Sequence, residues 1–363
     1  MRDRLVIVGA GIIGCAIARE LSARGVDCMV FDDRPPGGGA TRASAGMLAP
    51  YVEADERGPL LDLCVRSLDL YDPWIAAVRA ESEIDIEYGR IGTLEVALDE
   101  VHATELRKAA RASHRVTRIW MDADAARRAH PALGTIAGAL LTAVHGYVAA
   151  PQLASALAES AERRGVIFRR AAVHRIERDG ASLRVTPSDG DAVNAATVVL
   201  AAGAWTNRIE GVLTPPLRPV RGQLLQLGWR GHPLSTIIWG PECYLVPRTD
   251  GSVLVGATVE DAGFDERTTT AGVRDLLDAA CELLPEGWGA TFLDARAGLR
   301  PATPDELPVI GSDPDERGLV HASGHYRNGV LLAPITARLI ADLVIDGKED
   351  AVPAMFRPAR FSY

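Results

Sequence analysis

The chain has 363 residues, enough for about two domains of ordinary size, and its 47% hydrophobic and 24% charged content is that of a packed globular protein. Thirty-nine Lys and Arg against 48 Asp and Glu give a net charge of −9 with no basic run, which argues against a nucleic-acid surface. Five scattered cysteines (15, 28, 64, 243 and 281) fit a reducing compartment without disulfides. No apolar stretch approaches the ~20 residues needed to cross a bilayer, so the expected location is the cytoplasm, with no membrane partner.

Leu5 to Val8 is a short apolar run of the kind a buried strand uses, followed by Gly9, Gly11 and Gly14 in the pattern G-A-G-I-I-G. Ile13, Ile17 and Leu21 then recur four apart, one face of a helix that Gly25 stops, and strand resumes at 28–31 before Asp32 and Asp33. These are the parts of a dinucleotide site. The first glycine permits the tight turn, and the second lets a pyrophosphate approach bare backbone. The third lets the helix lie close to the sheet, and the helix N-terminus offers N–H groups to phosphate. Asp32, eighteen residues after Gly14, is placed to accept a hydrogen bond from a ribose hydroxyl. The motif alone does not separate NAD from FAD.

The loop at 35–50 is rich in small residues, and Ser44, Ala45, Gly46 and Met47 within it suit close contact with a ligand. Leu60, Leu61, Leu63, Leu68, Tyr71 and Ile75 predict a helix over 58–80, residues 86–98 read as strand, turn, strand, and charged helical patterns follow near 99–112 and 122–130. Pro151 suits the first turn of another helix, which Gly165 ends. Strands are predicted at 166–178, 181–187 and 192–195, with Asp179-Gly180 and Asp189-Gly190 as turns. Residues 197–205 read as a buried parallel strand running into a small-residue turn. Antiparallel strands are expected from 219 to about 258, a helix at 270–284 and a strand at 291–298. A strand at 318–323, a turn at 324–329 and a long apolar helix at 330–345 complete the pattern.

Seven segments then stand in order: the glycine triplet with Asp32, A-S-A-G-M-L at 43–48, V-V-L-A-A-G-A-W at 198–205, P-V-R-G-Q at 219–223, C-Y-L-V-P-R at 243–248, A-G-L-R-P at 297–301 and G-H-Y-R-N-G at 324–329. Together, over nearly the whole chain, they resemble the FAD-dependent D-amino acid oxidase family, and within it the glycine oxidase branch of thiamine biosynthesis. The resemblance implies an α/β fold: a doubly wound Rossmann-like FAD-binding domain with an α+β substrate domain on a large mixed or antiparallel sheet. The implied FAD-binding domain is 1–85, 146–218 and 297–363, and the substrate domain 86–145 and 219–296. The implied cofactor is non-covalent FAD, since no cysteine lies in the C-terminal segment where related sarcosine oxidases tether flavin. Its expected contacts are Gly9, Gly11, Ile12, Ile13, Gly14, Asp32, Asp33, Thr41, Ser44, Ala45, Gly46 and Met47. Val173 matches the position whose backbone meets adenine, and Ala202, Gly203 and Trp205 follow. At the C-terminal turn, Gly324, Tyr326, Arg327, Asn328, Gly329, Val330 and Leu331 would place a helix N-terminus at the flavin pyrimidine edge, where its partial positive charge favours reduced flavin.

By the same resemblance Arg300 is the fork that grips a substrate carboxylate, Tyr244 donates to that carboxylate, and Arg327 lies near the substrate amine and the flavin. His325 reads as structural. The implied reaction is hydride transfer from Cα to FAD, reoxidation by O₂ to H₂O₂, and imine hydrolysis to a 2-oxo acid and ammonia. Glu242 and Val259 depart from a glycine oxidase that has His and Met there; the smaller Val would admit substrates larger than glycine, and the acid at the rim would favour a cationic group. Glycine, sarcosine and small D-amino acids such as D-alanine and D-proline are therefore expected with overlapping preference. The rival readings are a dehydrogenase of the same fold that uses another acceptor, an NAD(P)-linked dehydrogenase, and a non-catalytic FAD-binding subunit. A homo-oligomer is compatible with all of them.

Overall fold

Leu5–Val8 is buried at every residue because it runs down the middle of a six-stranded sheet. The computed structural model describes residues 5–53, 58–112 and 115–361. Across this sheet the order is Val309–Ser312, Leu319–Ser323, Val198–Leu200, Leu5–Val8, Cys28–Asp32 and Ile167–Arg170, all parallel except the antiparallel first strand at the edge. Parallel neighbours need crossovers, and helices cover one face of the sheet. Ile12–Ala23, Pro59–Ser82, Ala150–Glu162 and Gly329–Asp346 bury Ile17, Tyr71, Leu157 and Ile340 in one core. A second core joins Val6, Val198 and Leu200 to Ile176, Leu183 and Val185 of an antiparallel meander, Val173–Asp179, Ser182–Pro187 and Val193–Ala195.

The run expected as one strand at 166–178 is two. Ile167–Arg170 extends the parallel sheet beside Cys28–Asp32, whereas Val173–Asp179 leaves it to pair with Ser182–Pro187. Both halves have strand character, so only their partners separate them. The expectation about apolar length also needs correcting. Tyr326–Asp346 is 21 residues with mean hydropathy 1.6, long and apolar enough to span a bilayer by composition. Here it is packed against Ile12–Ala23 and Pro59–Ser82, and a helix apolar all round is one surrounded by protein. Pro334 inside it has no N–H to give Val330. The Tyr71 hydroxyl donates to that carbonyl instead (2.5 Å), and Ser67 Oγ donates to the carbonyl of Leu331 (2.6 Å).

The second large sheet has eight strands in the order Thr291–Ala302, Arg218–Gly228, Ser252–Gly256, Tyr244–Pro247, Ile237–Trp239, Thr93–Ala97, Gly138–Thr142 and Arg118–Asp122. It is mixed because Ile237–Trp239 runs parallel to Thr93–Ala97 while the other pairs are antiparallel. The helix Thr270–Leu283 packs Leu276, Ala280 and Leu283 against Leu225, Val253 and Val255. The two strands at Arg118–Asp122 and Gly138–Thr142 carry no signal that set them apart in the sequence. The strand expected to end at 298 continues to Ala302, so Arg300 stands on a strand and not in a loop. The fold class is the one expected, a Rossmann-like α/β assembly beside a large mixed sheet.

Candidate functional site

Val8, Phe31, Ala201 and Ala322, near the carboxyl ends of the parallel strands, open onto a cavity of about 660 Å³ whose far wall comes from the eight-stranded sheet. Ligands in open α/β sheets sit at such strand ends. The three glycines of the first motif have different tasks. Gly9 has a left-handed φ of +108°, and a Cβ there would stand 2.3 Å from the carbonyl oxygen of Ala201. Gly14 is packed against the turn itself, where a Cβ would stand 1.9 Å from the carbonyl oxygen of Gly9. Gly11 has open space, its nearest atom being Thr41 Oγ1 at 3.8 Å, and it faces the cavity.

Thr41 Oγ1 accepts from the N–H of Ile12 (3.0 Å) at the helix start. Asp32 ties the motif together, accepting from the N–H groups of Ala10 (2.7 Å) and Arg34 (2.8 Å). Burial pushes its carboxyl up, with these two N–H groups opposing. Gly9, Gly11, Ile12, Ile13, Asp32, Asp33, Thr41, Ser44, Ala45, Gly46, Met47, Val173, Ala202, Gly203 and Trp205 all line the one cavity. So do Arg300, Tyr244, Tyr326, Arg327, Asn328, Gly329 and Val330.

Three expected cofactor contacts do not. Gly14 fills the helix–strand approach. Gly324 (φ +72°) turns the chain beneath Thr303, whose Cγ2 would be 2.9 Å from an added Cβ. Leu331 points into the helical core, 2% exposed. Glu242 is exposed and Val259 is 53% exposed, and neither lines the cavity, so the pocket role expected of them is not realised.

At the sheet end, Arg300 crosses over Gly222, where a Cβ would meet Nη2 at 2.3 Å. Its Nη1 donates to the carbonyl of Thr258 (3.0 Å). The loop carrying that carbonyl is fixed in turn. Thr258 Oγ1 accepts from the N–H of Gln223 (2.9 Å), and Glu260 binds Gln223 Nε2 (2.7 Å), Arg221 Nη2 (2.5 Å) and the Thr258 hydroxyl. Tyr244 lies over Gly256, whose added Cβ would be 2.5 Å from the phenol oxygen. Burial pushes that phenol up to about 12, with Arg300 opposing, so it remains a proton donor. Arg327 stacks over the ring of Tyr326 at 5.4 Å. His325 is buried, held down to about 3 by desolvation, and joined through Nε2 to Thr336 Oγ1 (3.0 Å), which makes it a neutral structural residue.

Among the lining residues outside the sequence expectations are Glu53, Arg34, Arg208 and Gly222. Glu53 ends the short helix Pro50–Glu53 among these cations; burial pushes its carboxyl up, opposed by Arg327 and Arg300. Arg34 stacks on Trp205 (4.5 Å) and is held by both oxygens of Glu266 (2.9 and 2.7 Å), while Arg208 stacks on Phe264 (3.8 Å). Gly222 stood inside the quoted P-V-R-G-Q segment. Glu53 had no signal, because one acid in a stretch holding Asp55 and Glu56 reads as surface.

The cavity fits an extended dinucleotide. Two helix N-termini reach it, Gly11 leaves backbone bare beside it, and Asn328 Oδ1 is buried at its wall without a hydrogen-bond partner. A family model described as FAD-dependent oxidoreductase (DAO) matches residues 4–343. A glycine oxidase from Geobacillus kaustophilus is 34% identical over 96% of this chain and 94% of its own. A bifunctional ThiO/ThiG protein from Synechocystis sp. is 35% identical over 98% of this chain and 54% of its own. The chain thus spans about half the length of the curated bifunctional relatives it matches. Among solved structures, glycine oxidase from Geobacillus kaustophilus superposes with a TM-score of 0.95 at 34% identity, covering 99% of both chains. Iminodiacetate oxidase from Chelativorans sp. BNC1 does so with 0.89 at 29%, covering 98% and 99%.

Proposed function

The chain belongs to the DAO family of FAD-dependent oxidoreductases, and from that premise we propose that it oxidatively deaminates glycine and small amines or D-amino acids such as sarcosine, D-alanine and D-proline. The observation that carries this reading is the convergence of Arg300 and the protonated Tyr244 hydroxyl on the cavity that begins at the glycine turn. FAD, when bound, supplies the acceptor for the substrate's Cα hydride and passes the electrons to O₂, giving H₂O₂.

Arg300 offers a planar, charged fork to the substrate carboxylate, and Tyr244 adds a neutral donor to it. Thr258 and Gly222 fix the fork, the first by taking one donor and the second by leaving room for the guanidinium. A carboxylate held at that point has its Cα set by geometry, and positioning of this kind carries much of the acceleration. The imine product hydrolyses in water to the 2-oxo acid and ammonia.

The start of Ile12–Ala23 suits the pyrophosphate, Asp32 a ribose hydroxyl and the backbone at Val173 the adenine. The start of Gly329–Asp346 suits the flavin pyrimidine edge. We assign 1–85, 146–218 and 297–363 to the FAD-binding domain, and 86–145 and 219–296 to the substrate domain. None of the five cysteines lines the cavity, which supports a non-covalent cofactor. All five are buried, and we read the setting as reducing and cytoplasmic.

The test is anaerobic mixing of the purified holoenzyme with glycine, sarcosine, D-alanine, D-proline and a basic D-amino acid. Bleaching of the flavin by at least one of the first four is expected, with peroxide appearing on admission of air. Reoxidation by a quinone but not by air would replace the oxidase with a dehydrogenase. A flavin that none of them reduces would overturn the reading.

A further inference from the structure

We infer that Glu53 is the group that recognises the substrate's amine, so that the site selects molecules carrying an ammonium and a carboxylate on one carbon; this rests on the amine-oxidation reading above. Three positively charged or donating groups, Arg300, Arg327 and Tyr244, line the sheet end of the cavity together with Glu53. The other carboxylates on its wall, Asp32 and Asp33, belong to the glycine-turn end. Among the described residues the Glu53 side chain has no hydrogen bond or ion pair, although Arg327 and Arg300 are the charges it feels most.

A carboxylate withdrawn from water without a partner is costly and favours any cation that can reach it. A zwitterionic substrate supplies that cation. With its carboxylate on Arg300 and Tyr244, its ammonium lies within the same small space that Glu53 faces. The backbone that presents Glu53 is anchored. Its N–H donates to the carbonyl of Ala49 (3.1 Å), Tyr51 N–H donates to His145 Nε2 (3.3 Å), and Met47–Leu48 pairs with Gly146–Val148. The carboxylate is therefore aimed by the fold and half-buried at the cavity wall, where desolvation raises its pKa against the opposing pull of Arg327 and Arg300.

The test compares ligands with and without an amine on the FAD-loaded enzyme. In Glu53→Gln, which keeps the shape and removes the charge, KM for glycine and sarcosine is expected to rise at least tenfold. The Kd of acetate, read from its perturbation of the flavin spectrum, is expected to change less than twofold. Glu53→Asp, which keeps the charge but retracts it, is expected to fall between. Equal weakening of glycine and acetate would make Glu53 a prop for the arginines and overturn the inference. Tighter binding of both would make it a competing counter-ion of those arginines, and no change in either would make it a bystander; each result also overturns it. A wild-type flavin that no amine reduces would overturn the amine-oxidation reading itself, and a reducible wild type with an unaffected Glu53→Gln overturns this inference alone.

Discussion

At the scale of single residues, the site depends as much on absent atoms as on charged ones. Arg300→Ala is expected to leave FAD bound while kcat/KM for glycine falls at least about a hundredfold, since a charge-assisted contact contributes about 1.5–3 kcal/mol and orientation adds to it. Flavin absorbance and steady-state rates check both halves. Gly222→Ala is a finer probe. Its methyl would meet the far end of the Arg300 side chain at 2.3 Å, not backbone, so the guanidinium can swing aside at small cost in stability. KM for glycine should rise several-fold with the melting temperature nearly unchanged; an unaltered KM would mean that Arg300 does not work from this position.

The elements show why three glycines of one motif are unequal. Gly11→Ala places a methyl in open space, whereas Gly14→Ala drives one to 1.9 Å from a backbone carbonyl that cannot rotate away. The helix must then lift from the turn, an overpacking cost of about 1–3 kcal/mol. Gly14→Ala should therefore lower the melting temperature and release FAD on gel filtration, and Gly11→Ala should fold at wild-type stability. The long C-terminal helix makes a similar point. Tyr71→Phe would leave the Val330 carbonyl, already deprived of a partner by Pro334, unpaired in the core. A loss of about 1–3 kcal/mol in denaturant unfolding is expected.

Over the whole molecule, two buried histidines give stability a pH dependence. Desolvation holds both His325 and His145 down to about 3, with Arg118 and Arg90 adding to the effect on His145. The unfolded chain protonates each near its ordinary value of about 6.5. Below that pH the unfolded state binds protons that the folded state refuses, so stability falls as the pH falls from about 6.5 towards 3. The depressed carboxyl of Asp313, held down by His321 and two backbone N–H groups against the opposing effect of burial, pulls in the same direction. Melting temperature measured from pH 7.5 to 4 should decline, with a shallower slope in His325→Asn, which cannot titrate. A flat profile would contradict the burial of these rings.

What the amino acids determined by themselves is local. A left-handed turn at Gly9, a helix beginning beside Gly11 and a strand ending at Asp32 follow from backbone freedom and apolar spacing within a few residues. Arg300, Tyr244 and Arg327 were legible only through their resemblance to family segments, because an isolated arginine or tyrosine carries no sign of what it faces. The tertiary structure alone decided that 166–178 divides between two sheets, that Gly324 and Leu331 serve packing, and that Val259 stands outside the cavity. It also decided that Glu53 stands among the arginines. Each of these depends on which segments meet in the folded chain, and neither backbone preference nor hydrophobic period specifies that partner.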